Sequence, residues 1–208
     1  MSDWMPLMIN VQDKTVTCIG GGQVAARRIP LLIKGGAKIT LISPILHEDL
    51  LKWVDSFQWE QQKLSQAKTF HSHILFIATD DPVLNDELLM KARDGQWVYA
   101  AHNAQKSDIH FPAVVSEPPV TFSISTGGAF PAYLPKLKQM IHQVFIDAHV
   151  ADDLTFLEKI RKQVLASPFT ADQKTRLLRS CAKDEFLRSP NRDQLLNQWI
   201  EELQKNDT

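Results

Sequence analysis

The sequence predicts an α/β fold: a doubly wound parallel sheet followed by a helical C-terminal domain. Short apolar runs alternate with helical segments through the first half of the 208 residues, which is the pattern of strands joined by crossover helices. One run, His73–Ala78, is almost continuously apolar, as expected of a parallel strand buried on both faces. After about Ala151 only helical periodicity remains.

Composition excludes several classes of protein. The net charge of -1 does not favour a nucleic acid or a membrane surface as a partner. Cys18 and Cys181 are far apart in the sequence, which argues against a disulfide framework and for a reducing compartment. The first residues lack a signal-peptide pattern, and no stretch is long enough to span a bilayer. We therefore expect a cytoplasmic protein that binds neither nucleic acid nor membrane.

The most informative stretch is Val16–Ala25, a short apolar strand, a glycine turn and the first turn of a helix. Gly20 would make the tight turn, Gly22 would leave room for phosphates, and Ala25 would let the helix pack close to the strand. Backbone N–H groups at such a helix start face a pyrophosphate. The alternative is a plain glycine turn. The prediction is a Rossmann-like dinucleotide-binding domain, with these cofactor-binding residues: Gly20, Gly21, Gly22, Gln23 and Val24.

The next elements are a helix over Val24–Lys34 and a strand over Ala37–Ile42. Pro30 is expected to kink or shorten the helix because it lacks an N–H group. A dinucleotide fold usually carries an acidic residue where the second strand ends, but this chain has Ser43 and Pro44 there. We assign both to the cofactor site, with Ser43 donating to a ribose hydroxyl. A serine does not by itself enforce NAD over NADP.

Four further elements complete the predicted sheet and its crossovers: a helix over Leu46–Ser56, a short strand over Phe57–Lys63, a helix over Val83–Asp94 and a strand over Gln96–Ala101. This first unit is expected to end near Phe111-Pro112.

Thr79 and Asp80 follow the buried strand at the carboxyl edge of the sheet, where ligands bind in such folds. We assign them to the nicotinamide half of the site. Asp80 or Asp81 could instead cap the following helix. His71 and His73 have a spacing that could bind a metal, but no third ligand is evident in the sequence. A polar segment leading into the strand is the better interpretation, and no metal site is predicted.

The second half begins with a strand over Val120–Ser125 and a second glycine turn, Thr126–Gly128. A helix is expected over Phe130–Val144 despite its prolines. Beyond Ala151, one amphipathic helix ends at Ser167-Pro168, and two or three more follow.

Motifs in this order resemble the precorrin-2 dehydrogenase / sirohydrochlorin ferrochelatase family, including the N-terminal module of siroheme synthase. The similarity covers residues 5 to about 145. Beyond them, the tail resembles the family only in being helical. The motifs are Met5-Pro6-Leu7-Met8, Gly20-Gly21-Gly22-x-Val24-Ala25-x-Arg27, Gly35-Gly36-Ala37, Ala78-Thr79-Asp80-Asp81 with Asn85, Phe111-Pro112-Ala113, and Ser125-Thr126-Gly127-Gly128-x-x-Pro131.

The resemblance implies three parts: an NAD-binding domain (1–112), a small α+β dimerisation segment (113–148) and a helical C-terminal domain (149–208). It implies a homodimer that oxidises precorrin-2 to sirohydrochlorin with NAD⁺. Some members also insert Fe²⁺ to give siroheme.

The resemblance also places a catalytic aspartate after the last strand of the sheet, and here Asn103 stands at that place. An amide cannot accept a proton at neutral pH. His102, Asp108 and His110 lie nearby in sequence and could stand in for it. If Tyr99–Asn103 is extended, His102 and Asn103 point to opposite faces, and a partly exposed loop histidine is the plainer interpretation of His102.

Ser125 matches the serine of the family's Ser-x-Gly-Gly turn, which lines the tetrapyrrole cleft. It could contact substrate, cap the helix that follows, or do both. The candidate catalytic residues are thus Asn103, His102 and Ser125. The leading hypothesis is an NAD-dependent precorrin-2 dehydrogenase. The alternatives are a catalytically degenerate relative that binds a dinucleotide as a regulatory partner, and a nucleotide-sensing module of a transport system.

Overall fold

A computed structural model of the chain describes residues 4–127 and 130–205. The chain divides into two compact units, Met1–Phe111 and Pro112–Thr208. Each unit has its own fold and its own core.

The first unit is built on a five-stranded sheet in which every neighbouring pair is parallel. Its spatial order is β3-β2-β1-β4-β5, so β1 and β4 lie at the centre. All four residues of β4 are buried, in agreement with the apolar run that predicted it. The strands are β1 (Thr15–Ile19), β2 (Lys38–Ile42), β3 (Gln58–Glu60), β4 (Ile74–Ile77) and β5 (Trp97–Ala100).

Helices cover both faces of this sheet, because successive strand residues point in opposite directions. Cys18 packs on one face with residues of helix α1 (Gln23–Lys34). Ile19, the next residue, packs on the other face with residues of α3 (Pro82–Met90). The doubly wound α/β prediction is confirmed.

Pro30 lies inside α1, which runs unbroken to Lys34. The expectation that it shortens the helix is wrong. Ile29 and Leu32 are buried against the sheet on either side of Pro30, and tertiary packing of this kind outweighs the one hydrogen bond that the proline removes.

Helix α2 (Glu48–Leu51) is a single turn, followed by a 3-10 turn at Val54–Ser56, where the sequence predicted a helix over Leu46–Ser56. That prediction is wrong in length. Leu46 and Leu50 are the buried residues of the segment, and the single helical turn carries Leu50 into the core. Helix α3 likewise ends at Met90, four residues before the predicted end.

The second unit opens with an antiparallel hairpin of β6 (Ala113–Glu117) and β7 (Val120–Ile124). The sequence predicted only the second of these strands. Helix α4 (Leu134–Asp147) follows a 3-10 turn at Pro131–Tyr133, and Phe145 meets Phe122 edge to face at 4.6 Å between ring centroids. Gly127 has φ +59°, while Gly128 of the predicted glycine turn lies outside the described residues.

The remaining helices form a separate apolar cluster around Ile160, Val164, Leu177 and Phe186. The prediction of one helix followed by two or three more is confirmed by α5 (Val150–Ala166), α6 (Ala171–Cys181), α7 (Asp184–Leu187) and α8 (Arg192–Lys205). In the part of the chain that the structure describes, no helix combines the length and hydrophobicity needed to cross a membrane.

Candidate functional site

The loops that follow β1, β2, β4 and β5 lie at one edge of the first unit, because all four strands run parallel. The chain order reverses between β1 and β4, and ligands of open α/β sheets bind in the crevice at such a point. The structure thus brings these predicted residues to one edge: Gly20, Gly21, Gly22, Gln23, Val24, Ser43, Pro44, Thr79, Asp80, His102 and Asn103.

The first two glycines of the turn are set by packing. Gly20 has φ +105°, and a side chain there would overlap the backbone carbonyl of Ala78 at the end of β4. Its N–H group donates to the carbonyl of Ile42 at 2.9 Å. At Gly21, a Cβ would lie 2.7 Å from the carbonyl oxygen of Ile45. The turn therefore lies tightly between the ends of β2 and β4.

Gly22 differs, because apart from its two chain neighbours no described residue places an atom within 4 Å of where its Cβ would be. It is the N-cap of α1, and among the described side chains none accepts a hydrogen bond from this helix start and none in its first turn is acidic. Free N–H groups and the helix dipole make this end positive. Ala25 is fully buried beneath it. An open, uncapped helix start of this kind fits the pyrophosphate of a dinucleotide.

The hydroxyl of Ser43 is buried and donates to the carbonyl of Ile45 at 2.6 Å. Trp59 Nε1 donates to the Ser43 carbonyl at 2.9 Å and fixes this end of β2. The expectation that Ser43 donates to a ribose hydroxyl is therefore not met, because its only O–H proton is already used. Its oxygen lone pairs remain for a ribose O–H.

Pro44 and Ile45 are exposed beside the glycine turn, Ile45 to 76%. The N–H group of His47 donates to the Gly21 carbonyl at 2.8 Å and holds this loop against the turn. Ile45 thus offers exposed apolar surface next to the glycine turn. Sequence reasoning missed it, although an apolar residue just after a Ser-Pro strand end was a usable signal.

The loop after β4 is held by a buried amide. Thr79 donates its hydroxyl proton to Asn85 Oδ1, and Asn85 Nδ2 donates to the Thr79 carbonyl at 3.0 Å. Asp81 caps α3, accepting two N–H groups of its first turn at 3.1 and 3.0 Å. Asp81 is thus the cap, and Asp80 is exposed with no hydrogen bond or ion pair to the described residues.

The turn after β5 sets the directions of the His102 and Asn103 side chains, which the sequence left open. The strand ends at Ala100, so Tyr99–Asn103 is not extended as a whole. Asn103 Oδ1 accepts the N–H groups of the second and third residues after it, at 3.1 and 3.3 Å, and caps a 3-10 turn at Ala104–Lys106. His102 instead directs Nε2 toward Asp86 Oδ1 on α3, 3.7 Å away.

Asp108 and His110, the other two residues that could replace the family's aspartate, both make structural contacts. Asp108 Oδ2 accepts the N–H group of Val98 at 2.9 Å, at the edge of β5. His110 packs edge-on against Trp4 with ring centroids 3.8 Å apart, and its Nε2 lies 3.2 Å from the Ala104 carbonyl oxygen. Among the described residues, the imidazole of His102 at this sheet edge therefore makes no hydrogen bond with the backbone.

Ser125 belongs to the second unit. Its hydroxyl accepts the N–H group of Gly127 at 3.3 Å. Helix α4 begins at Leu134, and the 3-10 turn before it has Phe130 as its N-cap. The interpretation of Ser125 as a helix cap is wrong, since the helix starts too far along the chain.

Within residues 4–127 and 130–205, no three or more His, Cys, Asp or Glu side chains are grouped so that they could hold a metal ion. His73 Nδ1 accepts the N–H group of Thr15 at 3.1 Å, just before the start of β4. The thiol of Cys18 lies within β1, and burial raises its pKa far above the usual range.

A family model described as "Putative NAD(P)-binding" matches residues 7–113, just over half of the chain. The chain belongs to this family. The matched range contains the glycine turn and all four loops of the sheet edge.

Two individual relatives are similar to most of this chain. A precorrin-2 dehydrogenase of Bacillus subtilis (strain 168) is 28% identical over 161 residues, covering 76% of this chain and 99% of that protein. A siroheme synthase of Nitrosococcus oceani is 29% identical over 149 residues, covering 70% of this chain. The chain spans about a third of that synthase, 32% of its length.

A solved structure titled "SirC, precorrin-2 dehydrogenase" superimposes with a TM-score of 0.79, covering 97% of this chain and 100% of that one at 22% identity. The likeness shows a shared fold: a Rossmann-like α/β domain with a helical C-terminal part.

Proposed function

We propose that this protein is an NAD-dependent dehydrogenase that oxidises precorrin-2 to sirohydrochlorin in siroheme biosynthesis. The observation that carries the proposal is the open, uncapped start of α1 at Gly22. It occurs in a chain that matches a precorrin-2 dehydrogenase over 99% of that protein's length.

Bound NAD⁺ supplies the hydride acceptor, and the protein supplies binding and orientation. In this proposal the N–H groups of Gly21–Val24 hold the pyrophosphate, while Gly20, whose N–H group donates to the Ile42 carbonyl, forms the tight turn. Ser43 and Pro44 lie against the adenosine, with the apolar side chain of Ile45 beside them. Thr79, fixed by Asn85, and the exposed carboxylate of Asp80 border the nicotinamide half.

The oxidation removes a proton together with the hydride, and His102 is our candidate for its acceptor, because an imidazole exchanges protons near neutral pH. Asn103 has the place that the resemblance gives to an acid, but its amide oxygen accepts two N–H groups and cannot take a proton. We therefore assign Asn103 to shaping the turn that carries His102. Ser125 remains a candidate substrate contact.

The deciding experiment is an anaerobic assay of the purified protein with NAD⁺ and precorrin-2. We expect NADH to appear together with the sirohydrochlorin spectrum. Absence of both in a folded protein that binds NAD⁺ would overturn the proposal.

Insertion of Fe²⁺ is a second activity that the resemblance implies, with the metal ion as substrate. Adding Fe²⁺ to the completed reaction tests it, and the siroheme spectrum is the readout. We assign no step of this insertion to Asn103, since an amide cannot accept the pyrrole protons that the metal displaces.

Asn103 also favours a second candidate function, a degenerate relative that binds a dinucleotide as a regulatory partner in tetrapyrrole synthesis. Intact NAD⁺ binding without turnover supports it. Asn103→Asp separates the two, because activity gained only in this variant would identify the position as a lost acid.

We further propose a homodimer in the cytoplasm. Exposed apolar side chains on the hairpin, the 3-10 turn and α4 support the dimer: Phe122, Tyr133, Met140 and Val144. Two free, buried cysteines suit a reducing compartment. Analytical ultracentrifugation of the full chain gives the oligomeric state, and a monomer at micromolar concentration would overturn the dimer.

A further inference from the structure

Asp86 is a single carboxylate that faces two cationic or ionisable side chains. Its Oδ1 lies 2.9 Å from Lys106 Nζ and 3.7 Å from His102 Nε2. The three residues come from α3, from the turn after β5 and from the 3-10 turn that Asn103 caps. Neither the glycine motif nor the resemblance accounts for this cluster.

We propose that Asp86 is a positioning residue for His102, the residue that accepts the substrate proton in the dehydrogenation. The inference rests on the proposed function. To that function it adds an Asp86–His102 pair. His102 Nε2 faces the carboxylate of Asp86, and His102 Nδ1 is the nitrogen that takes the proton.

The positions of the two residues support this assignment. The turn that carries His102 and the helix that carries Asp86 both begin at the carboxyl edge of the sheet. The N–H group of Ala101 donates to the Ile77 carbonyl at 2.9 Å and ties the turn before His102 to the end of β4. Helix α3 begins directly after the Thr79–Asp81 loop. The side chain of His102 is 27% exposed, so its ring is restrained but open to a ligand.

The chemistry balances with NAD⁺ as the only oxidant. A C–H bond of the macrocycle breaks, and its electron pair leaves as hydride to the nicotinamide, giving NADH. A proton leaves the macrocycle to His102 Nδ1, and the electron pair of that second bond forms the new double bond. The imidazole becomes an imidazolium, and the carboxylate of Asp86 faces this new positive charge.

The charge state of Asp86 suits that role. The hydrogen bond from Lys106, and then its positive charge, hold the pKa of the Asp86 carboxyl below its ordinary value, and His102 contributes less. The carboxylate is therefore ionised at neutral pH, and it faces the imidazole of His102 in that state. Asp86 is about half exposed, so water screens the pair and the expected effect is moderate.

The test measures kcat and KM of the full-length protein with NAD⁺ and precorrin-2 under anaerobic conditions. The variants are His102→Ala, Asp86→Asn, Asp86→Glu and, as a matched control, Glu87→Gln, which removes the next carboxylate along α3. Circular dichroism and NAD⁺ affinity show that each variant folds and binds cofactor.

We expect His102→Ala to lower kcat by about a hundredfold or more, as loss of a general base does, and added imidazole to restore part of it. Asp86→Asn should lower kcat about fivefold with little change in KM, the scale of a screened ion pair. Asp86→Glu should recover activity, Glu87→Gln should match the wild type, and Asp86→Asn should cost nothing further in the His102→Ala background.

Unchanged kcat in His102→Ala, or equal losses for Asp86→Asn and Glu87→Gln, would overturn the inference. An additive loss in the double variant would do the same, because it would show that Asp86 acts independently of His102. An inactive wild type that binds NAD⁺ overturns the proposed function instead, so the two failures are distinct.

Discussion

Replacing Gly22 by alanine tests whether a pyrophosphate lies against the start of α1. Apart from its two chain neighbours, no described residue has an atom within 4 Å of the Cβ that this change adds, and Gly22 has φ -82°, which any residue adopts. The folded protein should therefore lose about 1 kcal/mol, the typical cost of an N-cap change. The new methyl group would occupy the space that a phosphate needs.

Cofactor affinity should fall by more than stability does. We expect the Kd for NAD⁺ to rise at least about tenfold, equivalent to roughly 1.4 kcal/mol, because the second glycine of the motif permits close backbone approach. Isothermal titration calorimetry measures the affinity, and urea unfolding measures the stability.

Gly20→Ala is the contrasting variant. Its φ of +105° and the overlap with the Ala78 carbonyl should cost about 1–3 kcal/mol in backbone strain and about 1–3 kcal/mol in overpacking. It should thus be destabilised strongly. If Gly22→Ala is folded and binds NAD⁺ as tightly as the wild type, the assignment of the pyrophosphate to this turn is refuted.

Three further predictions concern other parts of the chain. Asn85→Ala should lower the free energy of unfolding by about 2–3 kcal/mol, because a buried amide with several hydrogen bonds is lost; a change below about 0.5 kcal/mol, close to the error of urea unfolding, would contradict this. Burial raises the pKa of the Cys181 thiol to about 11 from 9.0, so part of the stability should be lost as pH rises from about 9 toward 11, and less of it in Cys181→Ala. An equally steep decline in that variant would contradict the assignment. Asp153→Ala should cost about 1–2 kcal/mol, because Asp153 is nearly buried and lies 2.9 Å from half-exposed Arg188; we expect Arg188→Ala to cost a similar amount, and no loss in either variant would show that the pair contributes nothing.

The sheet and its glycine turn were predictable because their signals are local. Strand β4 is a continuous apolar run, and the turn that follows β1 needs Gly20 for steric reasons that the sequence pattern already encodes. Strand β6 was not predictable in the same way. Val115 is its one fully buried residue, and the strand exists through pairing with β7, which is a tertiary effect.

The site was only partly accessible to sequence reasoning. The bond from Ser43 to the Ile45 carbonyl and the approach of Asp86 to His102 depend on the folded arrangement of loops. Asn103 did carry a usable local signal, because asparagine is a preferred N-cap residue. Interpreting it only as a substituted acid overlooked that role.

The bare start of α1 has a consequence for the lifetime of the protein. Helix α3 begins with a side-chain cap from Asp81, whereas the first turn beginning at Gly22 has no such cap among the described residues. A bound dinucleotide would supply the hydrogen-bond acceptors that this helix start lacks, in addition to taking part in the reaction. Because a ligand that binds only the native state adds RT ln(1 + [L]/Kd) to its stability, we expect resistance to unfolding and proteolysis to rise with the concentration of the dinucleotide.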